Sequence, residues 1–463
     1  MLWLKTSTIA LALMVPLASG AFAQDKQESK SESPQKAEKK KEWKDRAEYD
    51  LYESIAKTQD PHQWLTTLDK WKQQYPQSDY ADVRRQLYLE TYRALNKPRE
   101  AFDAAQEVLK DNPDNLVALS AIVGYIYNLV PPEAPQLNPQ QSTDLGVAQK
   151  ASERILNNLD TIYAKENRPA NMTDAQAAAA KPTLKTFAQK TLGYIAMERK
   201  DYPKAQTELT KALQLDPKQG QVSFWLAEAV LNQNKAHPEL QPDALYDFAR
   251  AAAYTGPGSL PPADRSKVQD YLTKVYTQYH GSADGLDKLT AAAATSALPP
   301  AGFTVKSSAD IARDKAEAEA AAEKANPMLA LWKSIHKELE SPDGAAYFEN
   351  NMKGAALPGG VNGVTKFKGT LISTAPAVHP KELVLAIEDP TKPDVTLKLD
   401  SALPGKMEPG GEIEFDGVAD SYTKDPFMVT FQVDKTHIDG WTGKNTPARR
   451  KSGGTRHSGP SPK

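Results

Sequence analysis

Two periodicities divide the chain. From about residue 47 to 280, apolar side chains recur every three to four positions, the spacing of one helix face. After Gly360 they alternate with polar ones, the spacing of a strand. The clearest helical unit is TLGYIAMERKDYPKAQTELTKALQLDP, Thr191 to Pro217. It predicts a helix through Leu192 and Gly193, a tight turn, and a second helix running from Tyr202 and Ala205 through Ala212 and Leu213. Pro217 ends it, because proline has no N–H to continue the ladder. Gly193 and Ala205 read as the small residues of a close helix crossing, and Ala212 as room for the next pair. In the second region the alternating sets are Val395, Leu397 and Leu399; Ile413 and Phe415; and Phe427, Val429, Phe431 and Val433. With VTKFKGTLIST and ELVLAIED they make five strands. One buried face and one wet face predict an antiparallel sheet.

The helical unit recurs. Leu226-Ala227 follows Leu192-Gly193 by 34 residues, and its second helix, with Ala244, Phe248 and Ala251, arrives about five residues late behind the insert NKAHPELQP. Upstream, Leu89, Tyr92, Ala101 and Pro113 stand in the same relation. WLTTLDKWKQQYPQSDYAD reads as a terminal second helix ending at Tyr75-Pro76, and ALSAIVGYIYNL with LGVAQKASERILNNL as a pair around the insert PPEAPQLNPQQ. Four to six repeats are expected.

This order of Leu-Gly, Ala, Ala and Pro resembles the tetratricopeptide repeat (TPR), over about half of the chain. The resemblance implies an all-α solenoid whose first helices line a concave face that holds a peptide or protein. Matched turn to turn, that face would include Gln86, Glu90, Arg93, Lys190, Tyr194, Met197, Glu198, Phe224 and Glu228, of which Phe224 and Met197 also read as packing residues. Tyr194 and Glu228 stand where the carboxylate clamps of some TPR adaptors carry Asn, which argues against capture of a C-terminal carboxylate. PGGEIEFDGVADSYTKDPFMVTF is similar to the last two strands of an OB-fold barrel, although SALPGKMEPG replaces the usual helix before the fourth strand. Another small barrel or sandwich fits the pattern equally. The expected fold is therefore multidomain: a TPR-type helical solenoid, then a small antiparallel OB-like barrel.

The flanking segments complete the organisation. Residues 1–23 read as a secretory leader: Lys5, a short apolar run from Ile9 to Leu17, then the cleavage pattern Ala21-Phe22-Ala23. The run is too short to span a bilayer, so no transmembrane segment is expected after cleavage. Export to a bacterial periplasm or exterior agrees with the complete lack of cysteine, since stray thiols oxidise there. Residues 24–46, with 8 basic and 6 acidic side chains, read as a disordered linker. The helical repeat domain spans 47–280 and a helical connector 281–327, with Gly281 as a helix C-cap and the Ala/Glu/Lys run SADIARDKAEAEAAAEKA as spacer. An α+β domain spans 328–441. The tail, 442–463, has 6 basic and no acidic residues and reads as disordered, with weak contact to glycan or an anionic surface as its one expected role.

Composition and motifs narrow the function. A net charge of −2 over 463 residues argues against general binding to nucleic acid. Between Lys366 and Asp439 there are 8 Lys, no Arg and 13 acidic residues, the wrong sign for a phosphate-tracking groove. GWTGKNT lacks the spacing and the Ser/Thr of a phosphate loop. SIHK (Ser334–Lys337) matches Ser-x-x-Lys without the partner motifs of a penicillin-binding enzyme, and the serine of GSADG is misplaced for a nucleophile elbow. No two of the seven histidines share metal-ligand spacing on a helix. No catalytic residue, cofactor or metal is expected. The sequence points to a non-catalytic, exported TPR scaffold for a protein or peptide partner; the alternative is an envelope-glycan binder acting through the C-terminal domain or tail.

Overall fold

The computed structural model describes residues 41–132 and 136–443. The expected leader, most of the linker, three residues of the Pro-rich insert and the tail from residue 444 lie outside the described residues. The chain divides into two compact units, the first ending at Ser308 and the second beginning at Ala309.

The first unit is a succession of helix pairs: α1 (Arg46–Lys57) with α2 (Pro61–Gln74), α3 (Ala81–Ala94) with α4 (Pro98–Asp111), α5 (Leu116–Leu129) with α6 (Pro139–Asn157), and, after a single turn α7 (Leu159–Ile162), α8 (Asp174–Glu198) with α9 (Tyr202–Leu215), α10 (Gly220–Leu231) with α11 (Gln241–Ala253), and α12 (Pro262–His280) with α13 (Leu286–Thr295). Local chemistry sets the boundaries. Asp45, Asp60, Asn115, Asn138, Thr173 and Asp201 cap helix starts by accepting from first-turn amides. At Asn138 and Thr173 a Gln three residues on reaches back to complete a capping box. Gly281 closes α12 in the left-handed conformation (φ 92°), as its place after His280 predicted.

The small residues lie where the pattern put them. A Cβ on Gly193 of α8 would stand 2.6 Å from Leu209 Cγ of α9, so only glycine lets these helices cross at this distance. Ala205, Ala212, Ala227 and Ala244 are fully buried in the same core. The late arrival of α11 is accounted for by a short 3-10 turn, Pro238–Leu240, within the predicted insert.

Two boundaries differ from the sequence reading. Trp43, assigned to the linker, stacks on Tyr80 at 3.8 Å and covers the aromatic cluster around Trp71. There the fully buried Glu48 accepts from Trp71 Nε1 at 3.0 Å. Helix α13, assigned to the connector, packs into the first unit: Leu289 and Ala293 are buried, and Arg250 donates to the carbonyls of Ala293, Ala294 and Pro217. Periodicity alone cannot separate a short Ala-rich core helix from a solvated spacer; the carbonyls that Arg250 binds make the distinction. The solvated run is α14 (Ser308–Ala325), which buries no residue and holds itself with local pairs such as Arg313–Asp310 at 3.0 Å.

The second unit packs α15 (Pro327–Glu340) and α16 (Gly344–Tyr347) against a curled sheet of eight strands, not five: β1 (Ala356–Leu357), β2 (Phe367–Ala375), β3 (Glu382–Ala386), β4 (Val395–Leu399), β5 (Glu412–Phe415), β6 (Gly417–Lys424), β7 (Phe427–Val433) and β8 (Ile438–Asp439). The order is β1-β6-β7-β4-β3-β2-β5-β8. β1 and β8 are two-residue edges, and β6 was missed because it buries only Ala419 and carries a bulge between Ala419 and Ser421. The sheet is not wholly antiparallel: β4 and β7 run parallel, with Leu397 opposite Phe431. Alternation reports a single buried face, and a curled sheet has one whatever the strand directions. β5 and β6 sit far apart in the order yet are separated in the chain only by Asp416, so that residue joins the two flanks. Inside lie Phe367, Phe415 and Phe431 with Trp332 of α15, all fully buried. Asp394, 5% exposed, fastens α15 by accepting from Trp332 Nε1 at 3.0 Å and from the amides of Ile387 and Glu388.

Two stability outcomes follow from these contacts. Gly193→Ala forces Leu209 out of its place and costs about 1–3 kcal/mol in denaturant unfolding of the first unit, whereas Gly→Ala in an unobstructed helix is stabilising. Trp332→Phe leaves the buried Asp394 without its indole donor and costs the second unit about 1–3 kcal/mol, read by its own unfolding transition.

Candidate functional site

The first helices of successive pairs are stitched together by polar and aromatic side chains. Arg93 of α3 lies near Tyr125 of α5, whose hydroxyl feels its positive charge. Two residues on, Tyr127 meets Thr191 Oγ1 of α8 at 2.9 Å, and its ring lies 4.6 Å from Tyr194 and 6.1 Å from Trp225 of α10, nearly parallel to the latter. Tyr194 donates to the Val130 carbonyl beyond the end of α5. Tyr271 of α12 continues the line through its electrostatic coupling to Glu228 of α10.

This arrangement sorts the residues singled out from the sequence. Tyr194 is 1% exposed and Phe224 3%, so both belong to the core, not to a contact surface; Phe224 packs edge-on against Phe248. The helix-to-helix match located them correctly on first helices, but the neighbouring pairs close over them. Met197 is partly buried against the same core. Lys190 is 7% exposed, with its ammonium over the rings of Phe187 (4.8 Å) and Tyr127 (5.9 Å). Glu198 and Glu228 are half-buried, as is Arg93; Gln86 and Glu90 are exposed. Tyr125, Tyr127 and Tyr271 lie on first helices without having been singled out. The aromatic pair in GYIYNL was the available signal, but the Pro-rich insert after it hides its register with later repeats.

Partial burial dominates the electrostatics of these groups. Burial pushes the carboxyls of Glu198 and Glu228 up to about 7; Glu198 is partly relieved by the Tyr194 hydroxyl, and Glu228 feels the like charge of Glu198. Tyr202 feels the charge of both glutamates and Tyr271 that of Glu228, so these groups from α8, α9, α10 and α12 lie within electrostatic reach of one another. Glu90 is exposed by area yet its carboxyl is also raised by desolvation, with Arg93 opposing; a side chain open to solvent but surrounded by protein behaves this way. Burial pushes Lys190 down to about 8, opposed through space by Asp216.

Chemistry elsewhere is sparse. Among the described residues no three His, Cys, Asp or Glu side chains gather to hold a metal ion, and no helix is long and apolar enough to cross a membrane. The Ser334–Lys337 motif lies on α15, where His336 stacks on Phe427 at 3.8 Å and pairs with Glu388 at 2.6 Å. Asp247 of α11 is 2% exposed with Oδ1 unpartnered, and burial beside Asp243 raises its carboxyl well above the usual range.

No family model matches the chain, and no curated protein matches it. Among solved structures it is similar to a thermophilic TPR protein of Thermus thermophilus, at 16% identity over 49% of this chain and 96% of that one, with a TM-score of 0.26. A superposition that loose decides neither fold nor function.

The raised carboxyls give the first unit a defined pH response. Unfolded glutamates titrate near about 4.3, so between about pH 4.3 and 7 the folded unit holds protons that the unfolded chain has released. The associated stability is complete below that window and is lost as pH rises through 7. Thermal unfolding at pH 5.5 is therefore expected above that at pH 8, and Glu198→Gln with Glu228→Gln flattens the slope. Asp247→Asn raises stability at pH 8 and leaves it nearly unchanged at pH 4.

Proposed function

We propose that this protein is a non-catalytic, TPR-type interaction scaffold, exported to the periplasm or secreted, that grips a protein partner along the face of its first helices. The observation that carries the reading is a continuous set of accessible but unneutralised polar groups, Glu198 and Glu228 above all, on helices α8 and α10. Neither carboxylate has an ion pair among the described residues, whereas other solvated acids of the unit do, including Asp82, Asp111 and Asp114. Groups left desolvated without a partner inside the fold are suited to one outside it. In the second unit, the parallel β4–β7 pair and the join at Asp416 suit a five-stranded barrel of OB type, built from β2, β3, β4, β7 and the bent β5–β6 strand. Its acidic balance leaves protein contact as the role assigned to it.

Photo-crosslinkers placed at Glu90, Glu198 and Glu228 in the native cell test the scaffold. The expected result is one dominant protein adduct common to these positions, weakened by the charge reversals Arg93→Glu and Glu228→Lys with the fold intact by circular dichroism. No protein adduct from these positions, or adducts that the charge reversals leave unmoved, overturn it.

A further inference from the structure

Resting on that reading, the unpaired charges along α8 and α10 specify what the partner presents. Lys190, Tyr194 and Glu198 fall at i, i+4 and i+8 on α8 and so share a face. At one end of this stripe is an ammonium that is more than nine-tenths buried, forms no hydrogen bond or ion pair among the described residues, and is walled by the Tyr127 and Phe187 rings. Lys190 keeps 7% of its surface open to solvent. At the other end are two carboxylates, Glu198 and Glu228, also without a paired cation among the described residues, within electrostatic reach of the Tyr202 and Tyr271 hydroxyls. The two ends do not neutralise each other because eight helical residues, about 12 Å of axial rise, separate them. The stripe thus holds an unmatched positive site and an unmatched negative site, with buried aromatic rings between.

We propose that the stripe binds an extended polypeptide segment carrying one acidic and one basic side chain four residues apart, the acidic one on Lys190 and the basic one between Glu198 and Glu228. The spacing follows from geometry: an extended chain rises about 3.3 Å per residue, so positions i and i+4 point the same way about 13 Å apart. The complementary charges restore partners to three groups that the fold itself leaves desolvated. The acidic side chain meets an ammonium already stripped of most of its water. Asp216, which acts on Lys190 through space, and Tyr194, which lies against Glu198, are the other polar groups at the two ends.

The test uses the full-length protein and fluorescein-labelled, terminally blocked ten-residue peptides on an Ala/Ser background, read by anisotropy at pH 7.5. The peptide with Glu and Arg four residues apart is expected to bind at least tenfold more tightly than versions with Gln for either charge or with the two charges adjacent. K190Q removes the preference for Glu and keeps that for Arg; E198Q with E228Q does the converse. Each variant is compared with itself across peptides, so a uniform loss of stability cannot produce this crossover. If K190Q does not fold, Lys190→Arg, which keeps the charge, must retain the preference for Glu. Equal binding of all peptides, or preferences unmoved by the variants, overturns the inference. If crosslinks from Glu228 still mark a protein partner in that case, the scaffold reading stands alone; if they too are absent, both fail.

Discussion

The missing side chain of Gly193 sets how the helical unit is assembled. Leu209 occupies the space where a Cβ would be, and that contact brings α8 and α9 to a separation that any other residue would widen. The same closeness recurs wherever the small residues fall, at Ala205 and Ala212 and again at Ala227 and Ala244. Tight pairs leave each first helix free to meet the next first helix. The consequence is the row Tyr127, Tyr194 and Trp225, whose rings touch across α5, α8 and α10. Polar residues flanking that row are held in a protein-rich setting without being sealed off, and this is why Glu198 and Glu228 share a raised affinity for protons.

The second unit solves a different problem with one polar clasp. An eight-strand sheet that buries Phe367, Phe415 and Phe431 on one side needs a cover at its end, and Trp332 of α15 is that cover. An indole buried completely must place its N–H, and Asp394 receives it while also binding two amides of the neighbouring turn. A single carboxylate therefore fixes helix, turn and strand start together. Its own burial is tolerated because three donors meet it, in contrast to Asp247, whose Oδ1 meets none among the described residues.

The two units distribute charge in opposite ways. In the second, acids on the outer face are met by lysines, as at Lys366 with Asp439 and Lys368 with Glu412, and His437 with Asp416 extends the same pattern. Such exposed pairs are worth little, and the domain keeps an excess of acidic residues. In the first, pairs such as Arg99–Asp144, Arg154–Asp114 and Lys181–Asp160 leave Lys190, Glu198 and Glu228 unmatched among the described residues.

The sequence by itself determined the two periodicities, the helix pairs, the small residues at their crossings and the residues that alternate into the sheet. These are local properties: a 3.6-residue or two-residue repeat, a cap, a proline and a glycine act on their own neighbours. Tertiary structure alone decided which first-helix residues remain reachable. Tyr194 and Glu198 are one turn apart on the same helix, yet one is sealed under Tyr127 and Trp225 and the other opens to solvent, because closure comes from helices distant in sequence. It also decided the parallel β4–β7 pair and the core place of α13, since alternation reports burial and not strand direction, and an Ala-rich helix reads the same whether solvated or packed.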